Sequence, residues 1–316
     1  MFKLILRRLA LGFLTLVLVS GIIFVAVEAL PGDVCVSYLG RSAQGERLEN
    51  CRRDFGLERP ALTRYAAWVS GAVQGDFGVS MKRNKPIAGI VGMRLRNTVI
   101  LGVAASIIGI PIAILLGIIA GLWRDRSVDL WISTTAIFAM TIPEFVSATL
   151  LILIFSIWLE WLPGIVTTPP GAPVLDFLSD IMLPVITLAF VLTAHILRMV
   201  RTSVIDVMRS DYIQMAQLKG VPYWRMVFRH VLPNVLLPTI NLVALTIAWL
   251  LGGVVVIEAV FNYPGLGRLT IDAIGDRDLG LVQAIALILA ATYVGLNLFA
   301  DLLTLVVNPR LRTMKT

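Results

Sequence analysis

An all-α membrane protein with six spanning helices is the fold class the sequence predicts, and three observations carry it. The 316 residues are 58% apolar and only 15% charged, a balance far from that of a soluble domain. Six continuous apolar stretches lie near residues 9–30, 98–123, 131–159, 181–200, 236–257 and 281–307. Each is long enough to cross about 30 Å of hydrocarbon at about 1.5 Å per residue. Between the fourth and fifth lies a polar, basic segment with helical patterning of its own, DYIQMAQLKGVPYWRMVFRHVLPN from Asp211 to Asn234, where a plain connector needs only a few residues.

The first span opens with Lys3, Arg7 and Arg8 and then runs apolar for longer than the roughly 7 to 15 residues of a signal-peptide core. No clean small-x-small cleavage site follows it, so it is expected to stay as a helix. Residues 31–97 form an insert between the first two spans, with eleven basic and six acidic side chains. Both cysteines of the chain, Cys35 and Cys51, fall here. In an oxidising compartment they could close a loop worth roughly 3 kcal/mol; two free thiols are the alternative. A zinc site is not supported, because His195 and His230 are far away in sequence, and no other metal site is expected. Within the insert Pro60 starts a helix in which Leu62, Tyr65, Ala66, Val69 and Val73 share one apolar face.

In the second span Gly102, Ser106, Gly109, Ala113, Gly117 and Gly121 recur three or four apart. Such a stripe lets helix backbones approach closely, within this chain or against a second subunit. Pro111, Pro143 and Pro184 interrupt spans and predict kinks or local opening. Ionisable groups at depth are few. Glu144 and His195 are candidates for the pathway, with Pro143 as a candidate hinge, and Asp301 lies within the sixth span. Glu28, Glu160 and Glu258 lie near span ends, where water is expected to reach them.

Orientation follows from basic residues in short connections. The N-terminus, the loop with Arg124 and Arg126, the segment around residues 203–235 and the tail hold fourteen Lys and Arg, against two, Arg268 and Arg277, in the opposite short loops. Both termini and the 203–235 segment are therefore expected inside, and the insert outside, since loops of its length translocate largely regardless of charge. Membrane orientation accounts for most of the net charge of +7, and no basic-aromatic platform suggests nucleic acid. The whole chain, 1–316, reads as one transmembrane domain.

The 211–234 segment resembles the "EAA" loop of ABC-importer permeases. Ala216, Gly220, Leu232 and Pro233 keep that pattern, while Gln214, Met215 and His230 stand where it has other residues. Gly75-Asp76-Phe77-Gly78-Val79-Ser80 is similar to the family's turn before its second span. Phe261-Asn262-Tyr263-Pro264-Gly265-Leu266-Gly267-Arg268 is similar to the Pro-Gly-Leu-Gly stretch of peptide-type permeases. Asp272, Gln283, Asp301 and Asn308-Pro309-Arg310 fit as well, so the resemblance runs nearly end to end, to the dipeptide, oligopeptide and nickel branch.

That resemblance implies the type I importer permease fold in a bacterial inner membrane. It also implies a second homologous permease, two cytoplasmic ATPase subunits that bind ATP and Mg, and an outer solute-binding protein. The chain itself contains no Gly-Lys dipeptide and hence no Walker phosphate loop, so no cofactor is expected on it. Dipeptides or oligopeptides lead as cargo, with nickel chelates, glutathione, opines or sugars as alternatives. A self-contained channel or secondary carrier would need no docking loop. No zinc-protease or hydrolase motif favours a membrane enzyme.

Overall fold

The computed structural model describes residues 2–29, 32 and 34–307; the expected Asn308-Pro309-Arg310 ending lies outside them. The first apolar run forms α1 (Phe2–Glu28). The insert folds as α2 (Val34–Leu39), α3 (Gly45–Asp54) and α4 (Ala61–Val73). A two-stranded antiparallel ribbon follows, β1 (Val79–Ser80) on β2 (Lys85–Pro86), with Val79 opposite Pro86. That ribbon adds strand structure to an insert expected to be helical. Gly75 and Gly78, with positive φ of +81° and +79°, and the Gly78 amide donating to the Asp76 carboxylate at 2.9 Å lead the chain from α4 into β1, and the chain reverses over 81–84, where Asn84 has φ +49° and its amide donates to the Ser80 carbonyl at 2.8 Å.

The second run lies in α5 (Ile87–Leu122), which begins well before residue 98 and keeps Pro111 without a break. Tertiary burial holds its early turns helical through Arg94 and Arg96, because Ile87 and Val91 pack with Leu266, Leu269 and Leu281.

The third run is not one helix. It divides into α6 (Ser127–Thr141) and α7 (Glu144–Leu151), the latter continued by a π-helical stretch Ile152–Trp158, and the two arms bend by 105°. Pro143 lacks a donor and pushes Ile142 to φ −79°, ψ 125°, so the ladder ends there. A short α8 (Val174–Phe177) precedes α9 (Met182–Met208). Pro184 sits in the first turn of α9 rather than interrupting it, a position where no helical bond is lost. Beyond come α10 (Asp211–Leu218), α11 (Tyr223–Met226), a π stretch Val227–Val231, α12 (Leu232–Val260), α13 (Leu266–Gly275) and α14 (Leu279–Val307).

Among the described residues four helices, in α1, α5, α9 and α14, are long and apolar enough to cross a membrane, or five if the bent pair is one span. Helix α12, 29 residues long, covers the fifth apolar run. The centre of the bundle is the α5–α9 pair. A Cβ on Gly117 would lie 2.7 Å from the Val200 Cβ, and one on Gly121 would lie 2.6 Å from that of Val204; the small-residue stripe thus serves packing inside the chain. Around it Leu101, Leu183, Leu188, Leu192 and Ile196 are buried. At the periphery α1 packs on α14, with an Arg8–Asp301 ion pair. The Ser20 and Tyr65 hydroxyls, 2.8 Å apart, join α1 to α4.

Candidate functional site

Helix α10 ends at Gly220, which has φ +72° and open space where a Cβ would point. Its amide donates to the Gln217 carbonyl at 2.9 Å, and the Val221 amide to that of Ala216 at 3.2 Å, closing the helix with a left-handed cap. Pro222 then starts α11 with its fixed φ. Ile213, Met226, Val227 and Val231 are buried and fasten the segment to the bundle. Ala216 is half-buried between them, while Gln214, Met215 and Gly220 face outward. His230 and Leu232 are partly covered, Pro233 is exposed in the first turn of α12, and the Asn234 amide donates to the His230 carbonyl at 2.7 Å. Leu218 is 82% exposed and Phe228 65%. Tyr223, Trp224 and Phe228 form a row of rings, with centroids 5.3 and 6.1 Å apart. An ordered connector that fastens aliphatic residues inward and displays aromatics outward has the composition of a contact surface.

At the other end of α12, Glu258 corrects the expectation of water access: it is fully buried. Thr98 Oγ1 donates to its Oε1 at 2.6 Å, and the Arg268 amide donates to Oε2 at 3.1 Å. The Leu266 amide in turn donates to Thr98 at 2.8 Å. A Cβ on Gly265 would lie 2.0 Å from Oε1, and one on Gly267 would lie 2.5 Å from the Val255 Cα. The Pro-Gly-Leu-Gly turn therefore wraps a carboxylate, and its glycines leave room for it. Tyr263, also buried, donates its hydroxyl to the Asn97 carbonyl at 2.7 Å, and burial pushes that phenol's pKa up. Asn97 donates to the carbonyls of Pro170 and Pro264 at 3.0 and 2.9 Å. Sequence reasoning missed Asn97 and Thr98; two polar residues at the start of an apolar run were the available signal.

The 105° break places Glu144 at the first position of α7, half-buried and within electrostatic reach of His195 on α9. His195 Nδ1 lies 3.3 Å from the Val191 carbonyl. Thus the structure brings Pro143, Glu144 and His195 into one region. A second unforeseen group fastens the start of α6 to α9: Arg201 Nε and a terminal nitrogen donate to the two Asp129 oxygens at 2.6 and 2.7 Å. Asp129 also accepts from the Asp125 amide and the Ser133 hydroxyl, both at 2.9 Å, a two-pronged and fully satisfied arrangement. In the insert Cys35 and Cys51 are joined as a disulfide, with Cα atoms 5.9 Å apart. Among the described residues no three His, Cys, Asp or Glu side chains converge on a metal position.

Residues 113–313 match the family described as binding-protein-dependent transport system inner membrane component, and residues 1–102 match its N-terminal region. The glutathione transport system permease protein GsiC of Escherichia coli K12 is 36% identical over 313 residues, 99% of each chain. The protein of that name from Shigella flexneri serotype 5b is 35% identical over the same length. A solved amino acid ABC transporter, crystallised with histidines, superposes with a TM-score of 0.51 at 16% identity, covering 68% of this chain and 93% of its own, which speaks to the fold alone. With two family regions spanning nearly all its length and full-length relatives above 30% identity, the chain belongs to the binding-protein-dependent transport system inner membrane components, the permeases of ABC importers.

Proposed function

We propose that this permease forms half of a translocation pathway for peptide-class cargo, dipeptides, oligopeptides or glutathione, and that residues 211–234 couple it to a cytoplasmic ATPase. One observation carries the coupling assignment. The segment is buried on its inward side at Ile213, Met226, Val227 and Val231 and exposes Met215, Leu218, Trp224 and Phe228 on the other, so a groove on a partner could move it as a rigid element. In this reading both termini and the segment are cytoplasmic, and the insert is extracytoplasmic. Two ATPase subunits bind ATP and Mg, a second permease completes the pathway, and a solute-binding protein delivers cargo from outside. Pro143 is the hinge of the bent pair, and Glu144 with His195 supplies polar groups to the pathway at depth. The named relatives transport glutathione, and this supports a peptide-class cargo here.

The test uses the complete importer in proteoliposomes. Gly220→Arg places a long charged side chain on the contact surface at a position whose left-handed backbone costs roughly 1–2 kcal/mol for a residue other than Gly. Insertion and assembly should persist, ATP hydrolysis should continue, and uptake per ATP should fall by about tenfold. Unchanged uptake would count against the coupling role, and uphill transport by the permease alone would overturn the reading.

A further inference from the structure

Helix α9 carries His195 on one side and a row of apolar positions on the other. Ile186, Phe190, Thr193 and Leu197 recur three and four residues apart along the helix and share one face. At 3.6 residues per turn, His195 points about 170° away from the middle of that row. The side chain within reach of Glu144 therefore leaves α9 on the opposite side.

The row walls a crevice of about 480 Å³ that α5 and α6 complete. Helix α6 contributes Ala136 and Ala139, which are small and buried, and Trp131, which is 76% exposed. No charged side chain lines the crevice, and its two hydroxyls are those of Thr135 and Thr193. Thr193 donates to the Gly109 carbonyl at 3.2 Å. All three walls belong to apolar spanning segments, which puts the crevice at hydrocarbon depth.

That lining excludes most occupants. Peptide-class cargo finds no partner there for its charged ends or its amides, and an ordered water needs two to four polar partners. Left empty, an apolar space forfeits dispersion contacts along its walls. A helix of the second permease is about 10–12 Å across, and 480 Å³ equals about one turn of it. In the proposed reading that subunit also stands on the side of Glu144 and His195, where the shared pathway runs. Hydrocarbon is the occupant that fits.

We infer that this crevice holds one acyl chain of a membrane lipid, laid between α6 and the α5–α9 pair and packed against Ala136, Ala139 and Phe190. The chain supplies the methylenes that the small side chains of α6 lack, and it spaces α6 from α9 beyond the Asp129–Arg201 clamp. This inference rests on the pathway position proposed above, at Glu144 and His195, and not on the coupling role or the cargo.

The experiment takes the assembled importer, without ATP or cargo, in liposomes doped with phosphatidylethanolamine whose acyl chains carry a mid-chain diazirine. Samples are moved into lipid-free detergent, irradiated after increasing times and mapped by mass spectrometry. Helix α1, almost uncovered along its span, reports lipid that merely surrounds the protein. Adducts on the crevice walls of α6 and α9 should outlast those on α1 by about tenfold in time, about 1.4 kcal/mol. Ala136→Leu with Ala139→Leu fills the crevice and should remove that excess, with α1 labelled as before. Ile112→Trp, at a lining position 44% exposed, narrows the crevice without touching the buried alanines and should do the same if the double variant fails to assemble. Crevice adducts that wash out together with those of α1 overturn the inference in the native protein alone. So does undiminished retention in both filled variants, or high-yield cross-linking of Trp131→Cys to the second permease, which would make that subunit the occupant. A water-soluble thiol reagent on His195→Cys tests the pathway reading separately: no reaction sinks that reading, while the washing times decide the lipid site.

Discussion

Gly265 is small because the carboxylate of Glu258 occupies the volume a side chain would take, and this gives a sharp expectation. With a Cβ placed 2.0 Å from Oε1, Gly265→Ala must expel Glu258 and strand the Arg268 amide and the Thr98 hydroxyl, each lost partner costing about 1–3 kcal/mol. Gly280→Ala is the matched control, since its Cβ would meet only the Ile87 Cδ1 at 3.8 Å. Thermal unfolding in detergent should separate them by several degrees, and equal midpoints would refute the account. Outside the spans, Asp180 supplies a pH dependence. Hydrogen bonds from the Thr168 hydroxyl first, then from the Thr167 amide and the Ser179 and Thr167 hydroxyls, hold its pKa below the ordinary value despite some burial. A carboxylate depressed on folding stabilises above its unfolded pKa, and that contribution disappears as pH falls through the folded one. Limited proteolysis of the 166–180 connection should therefore accelerate on acidification below about pH 4. In Asp180→Asn it should be faster at neutral pH and respond less to acid; identical profiles would dismiss the role.

At the scale of elements, the bent α6–α7 pair is fixed at one end and broken in the middle. The Asp129–Arg201 pair fastens the start of α6 to α9, and the arms meet at 105° at Pro143, the joint proposed above as the hinge. Asp129 is buried whereas the Arg201 side chain is 26% exposed, which puts Asp129→Asn near the low end of the cost for breaking a buried pair, about 3 kcal/mol. Replacing both members, Asp129→Leu with Arg201→Met, should recover most of that loss, because two apolar groups leave no uncompensated charge. Denaturant or thermal unfolding of the two variants decides it: a single variant as stable as the native protein would show that the pair does not clamp α6. The α5–α9 contact is of another kind, held by backbone approach at Gly109, Gly117 and Gly121, and it supplies the rigid frame against which such a joint would move.

For the molecule as a whole, the apolar runs were legible because membrane solvation imposes length and composition directly, and the family motifs were legible as strings. Physical reasons for those strings were not. Nothing in one dimension says that the 261–268 turn folds back onto Glu258, so the same residue that is 0% exposed read as wet. The continuous apolar run over 131–159 likewise hid a break, since hydropathy is blind to direction and only the geometry around Pro143 reveals the bend. Asp129 and Arg201 lie 72 positions apart, and no periodicity links them. Helix α1 carries the last lesson. Only 6% of its membrane-spanning window is buried, and its principal neighbour is α14, joined near their far ends through Arg8 and Asp301. Helix α1 is thus completed by a helix that is made much later. Biogenesis must keep α1 almost naked in lipid until α14 has been made, and a chain cut short before α14 would spare the central frame while leaving α1 without a companion.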